Sequence, residues 1–498
     1  MGKSTESIIR PALVLMSGRA LGFLAAFLIP IVLVRIFDQS EFGTYKQLFL
    51  IYGTLFGICQ LGLAESLYFF LPSDARRAGA YVRNAIFVLG VSGVVCMIAL
   101  WTQRSGIAGL LNNEYLSDHI FLIAVFLMLM LMSVVLEIVM TARKQNLSAS
   151  VAYALSDLLR AVLCVLPALW FGVLRWLLIG VVVFAGCRLA ATIFYLRYEF
   201  RDGFRPDAGL MKKHLAYALP FGLAAIIEIM QANLHMYAVS YHFDAATFAI
   251  YAVGCFQIPM IDYLMTSTSN VLMVNMREKL VQGKMAVVLE MWRDTTRKLV
   301  LIFCLIVGGL LAIAHELIVL LFTSDYQQSV PVFMIWTLAM VFAGFLTDGV
   351  LRVYAENRFL ILLNSIKLIL VVATINWFLM RFDLLGAVFV TLLVAFIAKL
   401  IALVRVKMLM QCDLSRFLPW RSLGQILAIT VVAVFTALLI KAISGLSGVP
   451  ALVTAGMVYT VVYSGLLVIL GPLSEQEKLE LLGYVQTPVS RLCRNWKV

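Results

Sequence analysis

The sequence is poor in charge: only 13% of its 498 residues are Asp, Glu, Lys or Arg, while 62% are hydrophobic. Soluble domains carry about 25% charged and 45–50% apolar residues, so a chain of this composition cannot cover itself in water. A membrane β-barrel would show alternating apolar and polar residues in segments of about 10; stretches such as Ile120 to Met132 are continuously apolar instead. No GxxxxGK[ST] phosphate loop occurs, which excludes an ATP engine of that kind, and HExxH and GxSxG are absent as well. No CxxC pair or Cys/His cluster implies a metal, and no cofactor is expected. No connecting segment is long enough for a separate soluble domain of about 50 residues or more, so any chemistry is expected inside the helical bundle.

What is there is a series of apolar stretches of about 20 residues, each long enough to cross a hydrocarbon core of roughly 30 Å as a helix. Their positions predict an all-α integral membrane protein of about fourteen transmembrane helices, at 12–36, 43–71, 84–101, 118–140, 150–171, 176–197, 215–241, 247–273, 299–322, 330–351, 359–380, 384–404, 422–443 and 450–471. The first span is longer than a signal-peptide core and no small-residue cleavage site precedes Arg35, so it reads as retained. With the N-terminus inside, the inner segments hold 28 basic residues and the outer loops only Arg104, Arg175 and Arg381. By the positive-inside rule both termini are then cytoplasmic. The same bias explains the net charge of +12 without nucleic acid, because cationic loops lie against anionic membrane lipid. Of the eight cysteines, Cys59, Cys96, Cys164, Cys187, Cys255 and Cys304 fall in spans and Cys412 and Cys493 in inner segments. With none in an outer loop, no structural disulfide is expected.

An internal repeat divides the chain. Phe37-Asp38-x-x-x-Phe42-Gly43-x-Tyr45, at the turn between spans 1 and 2, returns as Phe243-Asp244-x-x-x-Phe248-Ala249-x-Tyr251 between spans 7 and 8. Two readings are open: duplication, or convergence of similar outer turns, since aspartate caps helices and aromatics favour the interface. Under duplication the shift is six spans, so the halves share an orientation and suit two lobes rocking about a central cavity. The predicted organisation is a six-helix lobe at 1–197, a cytoplasmic linker at 198–214, a second six-helix lobe at 215–404, two peripheral helices within 405–471 and a cytoplasmic tail at 472–498. Met276 to Lys298 resembles an amphipathic surface helix, with Leu280, Val287, Val288 and Met291 among charges. Ser474-x-x-Glu477 followed by Leu479, Leu481 and Leu482 looks like a capped helix in the tail.

Ionisable groups at membrane depth cost about 2.5–3.5 kcal/mol each on translocon scales, so they face a cavity or a partner. The spans include the cations Arg19, Lys46, Arg160, Arg188, Lys367 and Lys399 and the anions Glu65, Glu137, Asp157, Glu228, Asp262 and Asp348. Such balance also permits a wholly structural reading, with ion pairs joining helices. Glu137, Asp348 and Lys399 lie near inner ends and can snorkel; Asp157 and Arg160, three apart, form a local pair. Glu228 and Asp262 fall near mid-span and are candidates for coupling or gating, extended by Gln231, Asn233, His235 and Gln257. Arg19 and Glu65, at comparable depth, form a candidate pair that separates when an anionic ligand enters. Lys46 and Arg188 are candidates for guiding a phosphate, because a cation offsets its desolvation cost.

Val34-Arg35-Ile36-Phe37, Glu41-Phe42-Gly43-Thr44-Tyr45, Gln60-Leu61-Gly62-Leu63 and Ser66-Leu67-Tyr68-Phe69-Phe70-Leu71-Pro72 together resemble the polysaccharide-biosynthesis flippases. These are the Wzx-like branch of the multidrug/oligosaccharidyl-lipid/polysaccharide exporter superfamily, and the pattern is diffuse rather than catalytic. The resemblance implies two six-helix lobes plus two peripheral helices. It also implies movement of undecaprenyl-pyrophosphate-linked oligosaccharide across the bacterial inner membrane by alternating access, with proton or sodium coupling. Polysaccharide polymerase and glycosyltransferase partners follow from the same resemblance. Alternatives are a drug/ion antiporter of the same superfamily and, from another class, a membrane glycosyltransferase or polymerase.

Overall fold

The computed structural model describes residues 22, 27–74, 76–200, 207–256, 258–473 and 477, the side chains of residues 259, 260, 262 and 263 excepted. Among them every regular element is helical. In chain order these are α1 (Gln39–Cys59), α2 (Leu63–Ser73), α3 (Ala78–Thr102), α4 (Arg104–Leu110), α5 (Leu116–Ser133), α6 (Val135–Ala142), α7 (Asn146–Phe171), α8 (Leu174–Glu199), α9 (Ala208–His242) and α10 (Ala245–Gly254). There follow α11 (Pro259–Val281), α12 (Met285–Ala312), α13 (Ala314–Phe322), α14 (Ser329–Ala339), α15 (Thr347–Val353), α16 (Asn357–Met410), α17 (Leu414–Phe417), α18 (Trp420–Ser444) and α19 (Gly448–Leu470). Counting abutting pieces together, 11 helices among the described residues are long and apolar enough to cross a membrane. The predicted first span lies largely outside the described residues, and the predicted eighth is interrupted between Gly254 and Pro259.

The 54 residues of α16 would make a rod of about 80 Å at 1.5 Å per residue, more than twice a hydrocarbon core. The rod is broken at Asp383, where φ 49° and ψ −138° leave the helical region. The break falls in the 381–383 gap that separates the predicted spans 11 and 12. A second interruption, at Phe345 (φ −95°, ψ 94°), ends a short 3-10 turn (Met340–Gly344) before α15. A broken helix leaves carbonyls without partners in a medium that offers none. Lys399 supplies one: its Nζ donates to the Phe345 carbonyl and to Thr347 Oγ1, both at 3.0 Å. Lys399 therefore does not snorkel; it satisfies a helix break.

The chain forms two compact units, Met1–Pro259 with Ile361–Val394, and Met260–Leu360 with Ala395–Val498. The predicted division at 198–214 concerns internal symmetry rather than compactness. In the second unit the α18–α19 hairpin packs on α12. Tyr459 and Tyr463, one turn apart, donate their hydroxyls to the Cys304 and Leu301 carbonyls of α12, each at 2.8 Å. Gly308 makes room for the first, since a Cβ there would sit 2.2 Å from Tyr459 Oη. The outward faces of the hairpin carry exposed Phe435, Ile443, Val461 and Ile469, as suits contact with lipid tails.

The predicted amphipathic helix over 276–298 is not one helix. Gly283 adopts φ 71° and separates the end of α11 from the start of α12, and Met276, Val288 and Trp292 are buried in the unit. The 3.6-residue pattern spans a turn between two helices, which together bury Met276, Val288 and Trp292 and leave Val287 exposed. Farther along α12, Arg297 binds Asp294 (2.8 Å), Glu477 (2.6 Å) and the Pro472 carbonyl (2.5 Å). Glu477 of the predicted tail helix is thereby held to α12, whereas Ser474 and the leucines after it lie outside the described residues.

Candidate functional site: polar and charged groups of the first unit

The two copies of the repeat adopt one geometry. Asp38 caps α1 by accepting from the Glu41 amide at 2.8 Å, with φ −68° and ψ 172°. Asp244 caps α10 by accepting from the Thr247 amide at 2.9 Å, with φ −70° and ψ 171°. Phe42, Tyr45, Phe248 and Tyr251 are all buried. The helices so started cross each other closely. A Cβ on Gly43 would lie 1.8 Å from the Ala245 carbonyl oxygen, so only glycine permits the approach. Farther along, Leu61 and Gly62 meet α9 in the same way, a Cβ on Gly222 falling 2.6 Å from the Leu61 carbonyl carbon. Glu41 completes the motif by accepting from the Leu174 amide at 2.6 Å, which caps α8. The Glu41-Phe42-Gly43-x-Tyr45 run is therefore a fold determinant, each residue fixing a cap, a buried ring or a helix crossing.

Beside that crossing lies a buried polar chain that the sequence reading passed over. Gln47 donates through Nε2 to Ser240 Oγ (2.8 Å) and to the Leu111 carbonyl (3.1 Å), and its Oε1 accepts from Asn113 (2.6 Å). Asn113 also donates to Thr44 Oγ1 at 2.8 Å, which in turn donates to the Ser40 carbonyl. Three elements, α1, α9 and the 112–113 turn, are joined by groups that leave no donor of Gln47 idle. The available signal was Gln47 one position after Lys46 in an apolar helix, with Asn112-Asn113 at a turn. Asn233 likewise donates to Thr54 Oγ1 (3.0 Å), and His235 Nδ1 bonds Tyr251 Oη (2.7 Å). Both had been expected to extend a hydrated route; both bridge helices.

The charged candidates separate by partner. Arg188 pairs with Glu137, Nη2 to Oε2 at 2.7 Å, with side chains only 11% and 2% exposed, and its Nη1 donates to Ser156 Oγ. Glu137 therefore does not snorkel. Asp157 and Arg160 form the local pair at 2.9 Å that their spacing predicts. Lys46 has no carboxylate partner among the described residues; its ammonium stands 5.4 Å from the centre of the Phe42 ring. Glu65, in the first turn of α2, and Glu228, midway along α9, are exposed. A carboxylate at mid-helix in hydrocarbon is costly, which is why Glu228 is a candidate for coupling rather than for lipid contact. Lys367 is half-buried, and Asp348 accepts from Thr347 Oγ1 at 3.1 Å. Arg19, Gln257 and the side chain of Asp262 lie outside the described residues. In the second unit, buried Glu316 binds Lys441 at 2.8 Å, a pair joining α13 to α18 that the sequence reading missed.

Long apolar helices, caps at matched turns and charges held inside an apolar bundle make up a fold found in membrane transporters of known structure. Solved structures with that fold include a lipid II flippase, MurJ, in an inward closed conformation, with TM-score 0.71 at 12% identity over 92% of this chain and 98% of that one. An inward-facing multidrug resistance MATE family transporter gives 0.58 at 15% over 81% and 99%. A MOP superfamily transporter from Pyrococcus furiosus gives 0.54 at 14% over 81% and 95%. Among curated proteins none matches the chain. The profile of the family described as polysaccharide biosynthesis protein matches residues 8–271, and the chain belongs to that family.

Proposed function

We propose that the protein moves undecaprenyl-pyrophosphate-linked oligosaccharide from the cytoplasmic to the periplasmic leaflet of the bacterial inner membrane, for O-antigen, capsule or exopolysaccharide synthesis. The observation that carries this reading is the conjunction of a polysaccharide-biosynthesis family with a transporter fold. A protein of glycan assembly built as a transporter acts on the glycan by moving it. The physical problem is a pyrophosphate and a sugar headgroup that hydrocarbon rejects, attached to a tail that hydrocarbon accepts. A polar path bordered by cations solves it if the tail stays in lipid.

In this proposal the chain crosses fourteen times, as lobes 1–197 and 215–404 with two further helices within 405–471, and both termini are cytoplasmic. The lobes alternate access, driven by a proton or sodium ion; Arg19, Lys46 and Arg188 contact the substrate, and Glu65, Glu228 and Asp262 belong to the coupling and gating apparatus. Polysaccharide polymerases and glycosyltransferases work on either side of the step.

Lys46 is the phosphate contact supported by its surroundings, since no carboxylate neutralises it among the described residues. Lys46→Gln is expected to lower translocation of lipid-linked glycan in proteoliposomes about tenfold, the loss of one charge-assisted contact of about 1.4 kcal/mol, with Lys46→Arg close to wild type. Unchanged rates in Lys46→Gln at equal reconstitution would remove Lys46 from the path.

Exposed Glu228 favours a second reading, a multidrug antiporter, in which a carboxylate serves a cationic drug. Glu228→Gln with lost dye efflux and normal surface glycan would select that reading.

A further inference from the structure

Along α3 lies an apolar groove of about 550 Å³. Its walls include Phe87, Val91, Val94 and Val95 of α3 and Met132 of α5, and the one charged residue lining it is Arg83, at the end where α3 begins. From Arg83 to Val95 is about 18 Å at 1.5 Å per residue, close to the depth of one leaflet, half of a core of roughly 30 Å. Gly90 forms part of the groove. A Cβ there would meet the Met132 methyl at 3.5 Å, an ordinary contact, so helix packing does not demand glycine at this place. What the glycine leaves open is the groove itself.

We infer that this groove binds one acyl chain of an anionic bilayer phospholipid, with the lipid phosphate at Arg83. Charge complementarity selects the headgroup: Arg83 lines the groove, and Arg76 and Arg77 are exposed just before α3 starts. Length selects a resident lipid, because the groove takes a chain of one leaflet and ends, whereas a polyprenyl tail extends well beyond it. The inference rests on the proposed orientation, which sets the start of α3 at the cytoplasmic surface, where anionic lipids concentrate. The site would hold the outer wall of the first unit to the leaflet from which the cargo departs.

The test is native mass spectrometry of the full chain in detergent, titrated separately with phosphatidylglycerol, phosphatidylcholine and undecaprenyl phosphate. Phosphatidylglycerol is expected to bind best, with Arg83→Gln weakening it about fivefold, the worth of one basic residue at an anionic surface, and Arg83→Lys retaining it. Gly90→Leu fills the groove and should remove the adduct. Val91→Trp, at an exposed wall position that helix packing does not use, should do the same should Gly90→Leu fail to fold. Equal binding of phosphatidylglycerol and phosphatidylcholine, equal binding by wild type and Arg83→Gln, or a preference for undecaprenyl phosphate would each overturn the inference. Glycan translocation is read separately, so absence of transport with intact lipid adducts would count against the proposed function and not against the groove.

Discussion

Arg188→Ala is expected to destroy the folded protein rather than to lower transport at normal abundance. The substitution leaves Glu137, 2% exposed, as a buried carboxylate without its cation. Removing one partner of a buried pair costs about 3–5 kcal/mol, because the survivor stays desolvated and uncompensated. Set against a stability of about 5–15 kcal/mol, that is a large fraction, and the Ser156 hydroxyl cannot offset it. Glu137→Gln in the same chain replaces the stranded charge by a neutral amide, so the double variant should recover most of the loss, as interacting residues do in a double-mutant cycle. Monodisperse yield and thermal unfolding in detergent read both outcomes. The cycle also separates structure from cargo recognition. If Arg188 contacts phosphate, Arg188→Ala/Glu137→Gln folds and transports poorly; if its task is the ion pair, the double variant folds and transports. Normal yield of Arg188→Ala alone would show that the pair does not hold α6 to α8.

The second large effect is expected at Gly43. Its added Cβ would stand 1.8 Å from the Ala245 carbonyl oxygen and 2.6 Å from the carbonyl carbon. These are backbone atoms at the N-terminus of a capped helix, so no rotamer change relieves the clash; α1 and α10 have to part. Overpacking in a close-packed interior costs about 1–3 kcal/mol and more where the backbone must move, which puts Gly43→Ala at or above the upper end and Gly43→Leu beyond recovery. Ala245→Gly in the same chain should not rescue either variant, because the obstructing atom is not the Ala245 side chain. Rescue by Ala245→Gly would mean that the crossing is looser than described, and unaltered thermal unfolding of Gly43→Ala would mean that the helices do not cross at this point.

The parts of the structure that the sequence made legible are those written in neighbouring residues. Asp38 and Asp244 announced two equivalent caps, Asp157 and Arg160 a one-turn pair, and the gap at 381–383 the break at Asp383. Polar partners far apart in sequence were not legible: Glu137 and Arg188 are 51 residues apart and Glu316 and Lys441 are 125 apart. Nothing local distinguishes a charge that has a distant partner from one that lines a path. For that reason an Arg188 that guides phosphate and an Arg188 that pairs with Glu137 look alike in sequence; the structure shows the pair. Met276 to Lys298 likewise reads as one surface helix, because periodicity carries across a one-glycine turn when both flanking helices bury the same kind of face. Lys46 has no distant carboxylate partner among the described residues, and its ammonium lies over the Phe42 ring.

The break at Asp383 has a bearing on biogenesis. Only Arg381, Phe382 and Asp383 separate two apolar segments there, too short a connection to be held far from the bilayer while the second segment waits. The pair is suited to entering the bilayer together, as a finished hairpin. A cysteine label at 383 then becomes the sharpest single reporter of which way the whole chain faces, since it marks a point and not a loop.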